Sequence, residues 1–167
     1  APIGYNPVPE MTFSLAAGLN WKGIDFSILL QGAARSSIYL QQDIAWDNFW
    51  GNYYEEHIGR WTPETAATAT YPRFTKAATA AHPNYYKSDY WLKDSKYLRL
   101  KNIQLGYTIP RKLLKKFGVR SLRVYANAYN LFTWDNVKKV DPESSNNSNG
   151  QFYPQQKVIN FGINLNF

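Results

Sequence analysis

The sequence has no cysteine among its 167 residues. This absence excludes a disulfide scaffold, a thiol nucleophile and any zinc site built on cysteine. Long apolar runs are missing as well: no window approaches the roughly 18 consecutive apolar residues of a transmembrane helix, which excludes a helical membrane protein. With 10 glycines, 9 prolines and 17% aromatic residues, the chain is neither collagen-like nor wholly disordered.

Acidic residues are missing from one basic segment. The formal net charge is +7, and much of it comes from five basic residues between positions 109 and 120: Arg111, Lys112, Lys115, Lys116 and Arg120. A nucleic-acid-binding surface has basic residues spread over a face, with stacking aromatic rings among them. We therefore interpret the positive charge as one local patch and expect no nucleic-acid partner.

Motifs for catalysis are also absent. His57 and His82 are 25 residues apart, which matches no zinc spacing. Glu55 and Glu56 are adjacent, so an extended backbone would point them in opposite directions. No serine lies in a nucleophile elbow, and there is no glycine-rich phosphate loop. We expect no enzyme activity, no catalytic residues, no metal and no cofactor.

Alternation of apolar and polar residues begins near the amino terminus. From Met11 to Trp21 every odd position is apolar, and from Ile24 to Leu30 every even position is apolar. A period of two over such lengths predicts strands. Lys22-Gly23 separates the two runs, so we expect a hairpin with a two-residue turn.

Alternation returns in the second half of the chain and predicts three further strands, over about 97–109, 122–129 and 159–167. The parity of the apolar residues changes at Lys101-Asn102, so we expect a β-bulge there. Between the third and fourth strands, residues 111–118 should form one or two helical turns. Their apolar residues Leu113, Leu114 and Phe117 are expected on one side.

About sixty residues after Gly32 have no sustained period. A structureless loop of that length argues against a small compact domain. Short helical turns are expected within it, one of them beginning at Thr62 with Pro63 in the first helical position. The segment is rich in aromatic residues, among them Trp46, Trp50, Tyr53, Tyr54, Trp61, Tyr71, Tyr85, Tyr90 and Trp91.

Two classes of protein fit these patterns, a soluble β-sandwich and a section of an outer-membrane β-barrel. The predicted strands have about nine to twelve residues, the length that a tilted barrel strand needs to cross a bilayer, whereas soluble strands average five or six. Short and long connections alternate, as they do in outer-membrane barrels. The final apolar stripe runs to Phe167 with asparagines opposite. These features favour the barrel.

One long run of residues carries a family resemblance. Residues 88–107, SDYWLKDSKYLRLKNIQLGY, closely resemble the carboxyl-terminal signature of SusC/RagA-type TonB-dependent transporters. Lys96 stands where the family more often has a small residue. Shorter matches follow the family's order along nearly the whole chain: Trp21–Phe26, Gln31-Gly32, Arg60–Glu64, Pro72-Arg73, Asn130–Thr133, Asp141–Glu143 and Tyr153-Pro154.

The resemblance implies an all-β fold, namely the last five antiparallel strands of a transmembrane β-barrel of about 22 strands with long extracellular loops. It implies an active transporter in the cell outer membrane of a Gram-negative, Bacteroidota-type bacterium. Such a transporter imports glycans or peptides with a SusD-like surface lipoprotein and is energised by TonB. Residues 1–167 are then the carboxyl-terminal part of the barrel, and the plug domain and amino-terminal extension lie outside this chain. The alternative is a soluble β-sandwich that binds a ligand.

The implied partners are the rest of the barrel and its plug, the SusD-like lipoprotein, TonB, the barrel-assembly machinery and outer-membrane lipid. If the last strand ends in the periplasm, as in this family, loops 33–96 and 133–157 are extracellular. Aromatic rings suit both sugars and peptide side chains. Candidate contacts to the substrate or the lipoprotein lid are therefore Trp46, Trp50, Tyr53 and Tyr54, unless these rings form the loop's own core.

The last strand and the basic segment are the other candidates. The apolar stripe of the last strand is expected to be the signal for barrel assembly; it consists of Phe161, Ile163, Leu165 and Phe167. The basic segment 109–120 would be periplasmic. It would either dock periplasmic partners or anionic headgroups, or be a solvated turn whose apolar residues cap the barrel rim; the second interpretation is favoured.

Overall fold

The computed structural model describes residues 3–47, 51, 53–76, 82–138, 140–144 and 153–167. Within these ranges the chain is all-β, as the sequence predicts. Over the same ranges, no helix is both long enough and apolar enough to cross a membrane. The strands are β1 (Met11–Trp21), β2 (Ile24–Ala34), β3 (Ser37–Tyr39), β4 (Leu92–Asp94), β5 (Tyr97–Thr108), β6 (Ser121–Asp135) and β7 (Val158–Asn166).

The chain divides into two compact units. The sheet unit comprises Pro9–Arg35, Lys96–Asn136 and Gln155–Phe167, and the loop unit comprises Ala1–Val8, Ser36–Ser95 and Val137–Pro154. The sheet unit holds a five-stranded antiparallel sheet in the order β1-β2-β5-β6-β7. All five predicted strands are present and paired.

The connection between β1 and β2 is the predicted two-residue turn. Lys22 and Gly23 both have positive φ, 48° and 89°, as the hairpin turns whose twist matches that of the strands require. A Cβ on Gly23 would lie 2.7 Å from the carbonyl oxygen of Thr108. Glycine at this position therefore satisfies both the backbone conformation and the close approach of β5.

The predicted bulge lies at Lys101. Leu29 of β2 pairs with Asn102 and Leu30 pairs with Leu100, so Lys101 is the additional residue on β5. The bulge is larger against β6, where Tyr129 pairs with Asn102 and Phe132 pairs with Leu100. Asn130 and Leu131 lie opposite the bulge, and polar Asn130 interrupts the apolar even positions of β6, which is why alternation alone ended the strand near Tyr129 whereas it continues to Asp135.

The connection between β5 and β6 contains the predicted helical turns. A short helix, α1, spans Arg111–Leu114 and a 3-10 turn spans Lys115–Phe117. The expected common apolar side is only partly present: Leu114 is buried, whereas Leu113 is 65% exposed and Phe117 76% exposed. The segment is too short to present all three side chains to the sheet.

The loop unit has a core of its own. β3 and β4 pair as a small antiparallel sheet, and 3-10 turns span Gln42–Ile44, Glu55–Gly59 and Pro83–Tyr85. At Thr62 the structure has hydrogen-bonded turns instead of the expected helical start, and the Thr62 hydroxyl accepts the amide N–H of Thr65 at 3.2 Å. The buried cluster is formed by Ile38, Leu40, Ala45, Trp46, Tyr71, Tyr85, Trp91 and Val137.

Candidate functional site

One face of the five-stranded sheet is apolar. Directly paired residues share a face, so the register defines rows that cross all five strands. One such row is Leu19, Phe26, Leu105, Ala126 and Phe161. Even Leu105, on the central strand, is 55% exposed. Nothing in the sheet unit covers this face, which we call the apolar face.

The opposite face is polar. Its neighbouring row across the same five strands is Gly18, Ser27, Gln104, Asn127 and Asn160. Tyr97, Tyr125 and Tyr129 share this polar face, whereas Tyr107 pairs with Ile24 on the apolar face. The strands of transmembrane β-barrels have this arrangement, with an apolar face towards lipid and a polar face towards a wet lumen.

An ion pair spans three strands on the polar face. Arg123 of β6 donates from Nε to Oδ1 of Asp25 on β2 at 2.9 Å, and its Nη2 donates to Oδ2. Gly106 of β5 lies between them, and a Cβ there would lie 2.5 Å from both the guanidinium and the carboxylate. The guanidinium also stacks over Tyr125, 4.8 Å from the ring centroid. Sequence reasoning missed this pair because its members are 98 residues apart.

The candidate contacts in the loop unit differ in exposure. Trp46 is 5% exposed and stacks on Tyr85 with 4.6 Å between ring centroids, so it belongs to the loop core. Tyr53 and Tyr54 are 57% and 41% exposed. Trp50 lies outside the described residues. Of the four, Tyr53 and Tyr54 are described and retain a surface that can meet another molecule.

A buried polar network stabilises the loop core. Asp47 is 1% exposed; it accepts the hydroxyl of Tyr85 and the amide N–H of Thr75 at 2.9 Å. The Tyr71 hydroxyl donates to the carbonyl of Ala45 at 2.7 Å. Burial raises the pKa of both the Tyr71 and Tyr85 hydroxyls. These phenols stay neutral and serve as fixed donors.

His57 belongs to the same network. Its Nδ1 accepts the amide N–H of Tyr54 at 3.0 Å, and its ring lies 4.5 Å from that of Tyr71. Burial lowers the pKa of the imidazole, which therefore stays neutral near pH 7. His82 accepts the Asn84 amide at 3.2 Å and caps a 3-10 turn. In the described part of the chain no three His, Asp or Glu residues are arranged to hold a metal ion.

The known proteins whose sequences are similar to this chain are named as TonB-dependent receptors. The chain is 29% identical over 179 residues to TonB-dependent receptor P26 of Formosa agariphila, which covers 97% of this chain and 17% of the relative. It is 25% identical over 163 residues to TonB-dependent receptor SusC of Bacteroides thetaiotaomicron, covering 96% of this chain and 15% of SusC. These names describe receptors and not enzymes. No protein-family model matches the chain.

Solved structures show the same fold. The chain superposes on the RagAB peptide importer in its "open-open" state with a TM-score of 0.73 and 24% identity, covering 98% of this chain and 18% of that one. The "closed-closed" state gives the same values. The chain thus spans about a sixth of the length of the relatives that it matches.

Proposed function

Since this chain is similar over nearly its whole length to TonB-dependent receptors of the SusC/RagA type, we propose that it forms one section of the wall of an outer-membrane nutrient importer. The apolar face contacts lipid and the polar face lines the lumen. The rest of the barrel supplies the strands that pair with the outer edges of β1 and β7. We further propose that the chain is the carboxyl-terminal part of that barrel.

The exposure of Leu105 carries the proposal. It lies at the centre of the sheet, yet more than half of its side chain is exposed. A soluble β-sandwich would pack a second sheet about 10 Å away on this face. The sheet unit has no such layer, which disfavours the soluble binding module.

We propose that the loop unit is extracellular and contributes to the contact with a SusD-like lipoprotein or with the imported glycan or peptide. Tyr53 and Tyr54 are the residues proposed for this contact. Energy comes from TonB through the plug, outside this chain. The asymmetry of the connections supports this orientation: two residues join β1 to β2 and a dozen join β5 to β6, whereas the loop unit is built from the long connections.

The stripe Phe161, Ile163, Leu165 and Phe167 remains the proposed assembly signal. Its support is that β7 is an edge strand, paired only with β6, and that these side chains are 45–83% exposed. An edge strand with a free ladder of backbone groups can be held by another strand.

Transport is tested in cells that express the full-length protein together with its lipoprotein. Labelled oligosaccharides and labelled oligopeptides are supplied separately, and accumulation is measured with and without TonB. We expect uptake of one of the two classes, abolished when TonB or the lipoprotein is removed. Uptake that is independent of TonB contradicts the proposal.

The exposed tyrosines are tested in the same assay. Tyr53→Ala combined with Tyr54→Ala should reduce uptake or weaken capture of the lipoprotein. Tyr86→Ala is the matched control, because Tyr86 is exposed to the same 57% as Tyr53 in the same unit. If the double variant and the control behave alike, Tyr53 and Tyr54 have no specific role.

The proposed membrane environment is tested with residues 1–167 expressed alone. Expressed in water without detergent, residues 1–167 should aggregate through the apolar face and the open edges of the sheet. A monodisperse monomer that unfolds cooperatively in water would contradict the membrane assignment.

A further inference from the structure

The connection between β5 and β6 has a concentrated positive charge. Its five basic residues, at positions 111, 112, 115, 116 and 120, have no acidic residue among them, and all five are exposed. Lys22 adds a sixth cation at the same end of the sheet, because its turn pairs with the last residues of β5. The acidic residue closest to this turn in sequence is Asp25, which is already bonded to Arg123. Within the described residues, no acidic side chain is ion-paired with any of these six cations.

Two apolar side chains are exposed between these cations. Leu113 and Phe117 are one helical turn apart and are 65% and 76% exposed, while Leu114 is buried. Cations interspersed with exposed leucine and phenylalanine are typical of segments that lie in a membrane interface. A turn that was merely solvated would gain nothing from exposing both.

A hollow of about 440 Å³ lies in the sheet unit at the same end. Its lining is almost entirely apolar: Ile24, Leu105, Tyr107, Val124, Ala126 and Phe161 contribute side chains from the apolar face. The small residue Ala126 pairs with the larger Leu105 and Phe161 on its two sides. Tyr107, which lines the hollow, is four residues before Arg111, so the basic connection begins close to this end of the hollow.

We propose that the hollow and the basic connection together bind an anionic phospholipid. An acyl chain occupies the hollow, Leu113 and Phe117 enter the interface, and Lys112, Lys115 and Lys116 hold the headgroup phosphate. The inference rests on the proposed function, because it requires the apolar face to meet lipid. An acidic protein would match the charge, but a soluble partner has no access to a hollow on the lipid side.

Binding is measured on the detergent-solubilised full-length transporter. Native mass spectrometry follows retention of phosphatidylglycerol and of phosphatidylethanolamine with identical acyl chains. The parent should prefer phosphatidylglycerol, and Lys112→Gln, Lys115→Gln and Lys116→Gln together should remove the preference, at roughly fivefold in affinity per lysine. The preference should weaken as salt is raised. Equal retention of both lipids by the parent overturns the proposal.

Two further variants separate the parts of the site. Ala126→Leu fills the hollow with an apolar side chain. It should weaken binding of long-chain phosphatidylglycerol while leaving binding of a dihexanoyl form unchanged. The matched charge control is Arg73→Gln with Lys87→Gln, two exposed cations of the loop unit, which should behave like the parent. An unchanged lipid preference in the triple lysine variant, with loss of an acidic protein partner instead, overturns the proposal.

Uptake distinguishes this failure from failure of the proposed function. A parent that imports its substrate in a TonB-dependent manner but shows no lipid preference refutes the lipid site alone. A parent that shows no TonB-dependent uptake refutes the transporter assignment, whatever lipid it retains.

Discussion

The sheet unit and the loop unit differ in where their apolar side chains lie. In the loop unit, Trp46, Tyr85 and Trp91 are at most 5% exposed and pack on one another. In the sheet unit, Leu15, Leu105 and Ile163 are 55–69% exposed. The loop unit thus buries its apolar side chains in a core of its own, whereas the apolar side chains of the sheet unit have no cover within that unit.

The difference shows that one chain can contain a unit that buries its apolar side chains in a core and a unit that presents them on its surface. The loop unit is stabilised by removing aromatic area from water, about 25 cal/mol per Å². The sheet unit is held by its backbone ladder and, under the proposed function, is completed by lipid and neighbouring strands. The two units should therefore be sensitive to different substitutions: the loop unit to loss of buried aromatic area, and the sheet unit to a charge placed on its apolar face.

The largest effect is expected in the loop core. Trp91 is 2% exposed, and its indole donates to the carbonyl of Asn84 at 2.8 Å. Trp91→Ala should lower the local stability of the loop unit by about 3–5 kcal/mol. Hydrogen exchange on the full-length protein should show faster exchange in residues 36–95 and unchanged exchange in β5 and β6. Trp61→Ala, at a position 39% exposed, is the control and should cost much less.

The second effect concerns the apolar face. Leu15→Arg or Ile163→Arg in the full-length protein should destabilise it by about 2–4 kcal/mol if the residue lies near the bilayer midplane. Asn160→Arg, on the polar face of β7 opposite Asn127, should cost much less. Urea unfolding in lipid vesicles measures the difference. Equal costs on the two faces would show that the faces have been assigned wrongly.

A smaller effect is expected from pH. Burial lowers the pKa of His57 below the value of about 6.5 for the unfolded chain. Between those two values the unfolded loop unit binds more protons, so its stability should fall as the pH is lowered from about 7 towards 5. Protease susceptibility of residues 36–95 measures this. His57→Gln should flatten the dependence, and His82→Gln should preserve it.

The smallest effect on stability is expected at the end of β7. Deleting Phe167 removes one exposed ring, worth about 150–250 Å² of surface, so assembled molecules should keep near-normal stability and uptake. The amount of assembled transporter in the outer membrane should fall, because the proposed assembly signal is incomplete. If assembled levels stay unchanged while uptake per molecule falls, Phe167 acts in transport and not in assembly.

The sheet could be predicted almost entirely from the sequence. A period of two is a local property, so β1, β2 and the bulge at Lys101 were all visible in the residues themselves. The continuation of β6 beyond Tyr129 was not, because polar Asn130, which adopts a φ of 51°, interrupts the alternation of apolar residues. The family resemblance could be recognised because its longest motif is continuous in the sequence, and the named relatives confirmed it.

The loop unit could not be predicted in the same way. Its core joins Trp46, Tyr71 and Trp91 from distant positions without any period, so the sequence showed an excess of aromatic residues but not which of them are buried. Trp46 was therefore grouped with Tyr53 although only Tyr53 is exposed. Likewise, the bond between Asp25 and Arg123 depends on the register of three strands, which composition does not contain.

That bond has a consequence for how the wall is aligned. Sliding β6 by one residue would turn Arg123 to the other face, and sliding it by two would move it about 7 Å along the strand, beyond the reach of Asp25. Between them, β5 places Gly106, whose lack of a side chain leaves room for the ion pair. The ion pair therefore reports the register of three strands at once. It can form when β2, β5 and β6 are all in their native register, and it cannot form when any one of them is displaced.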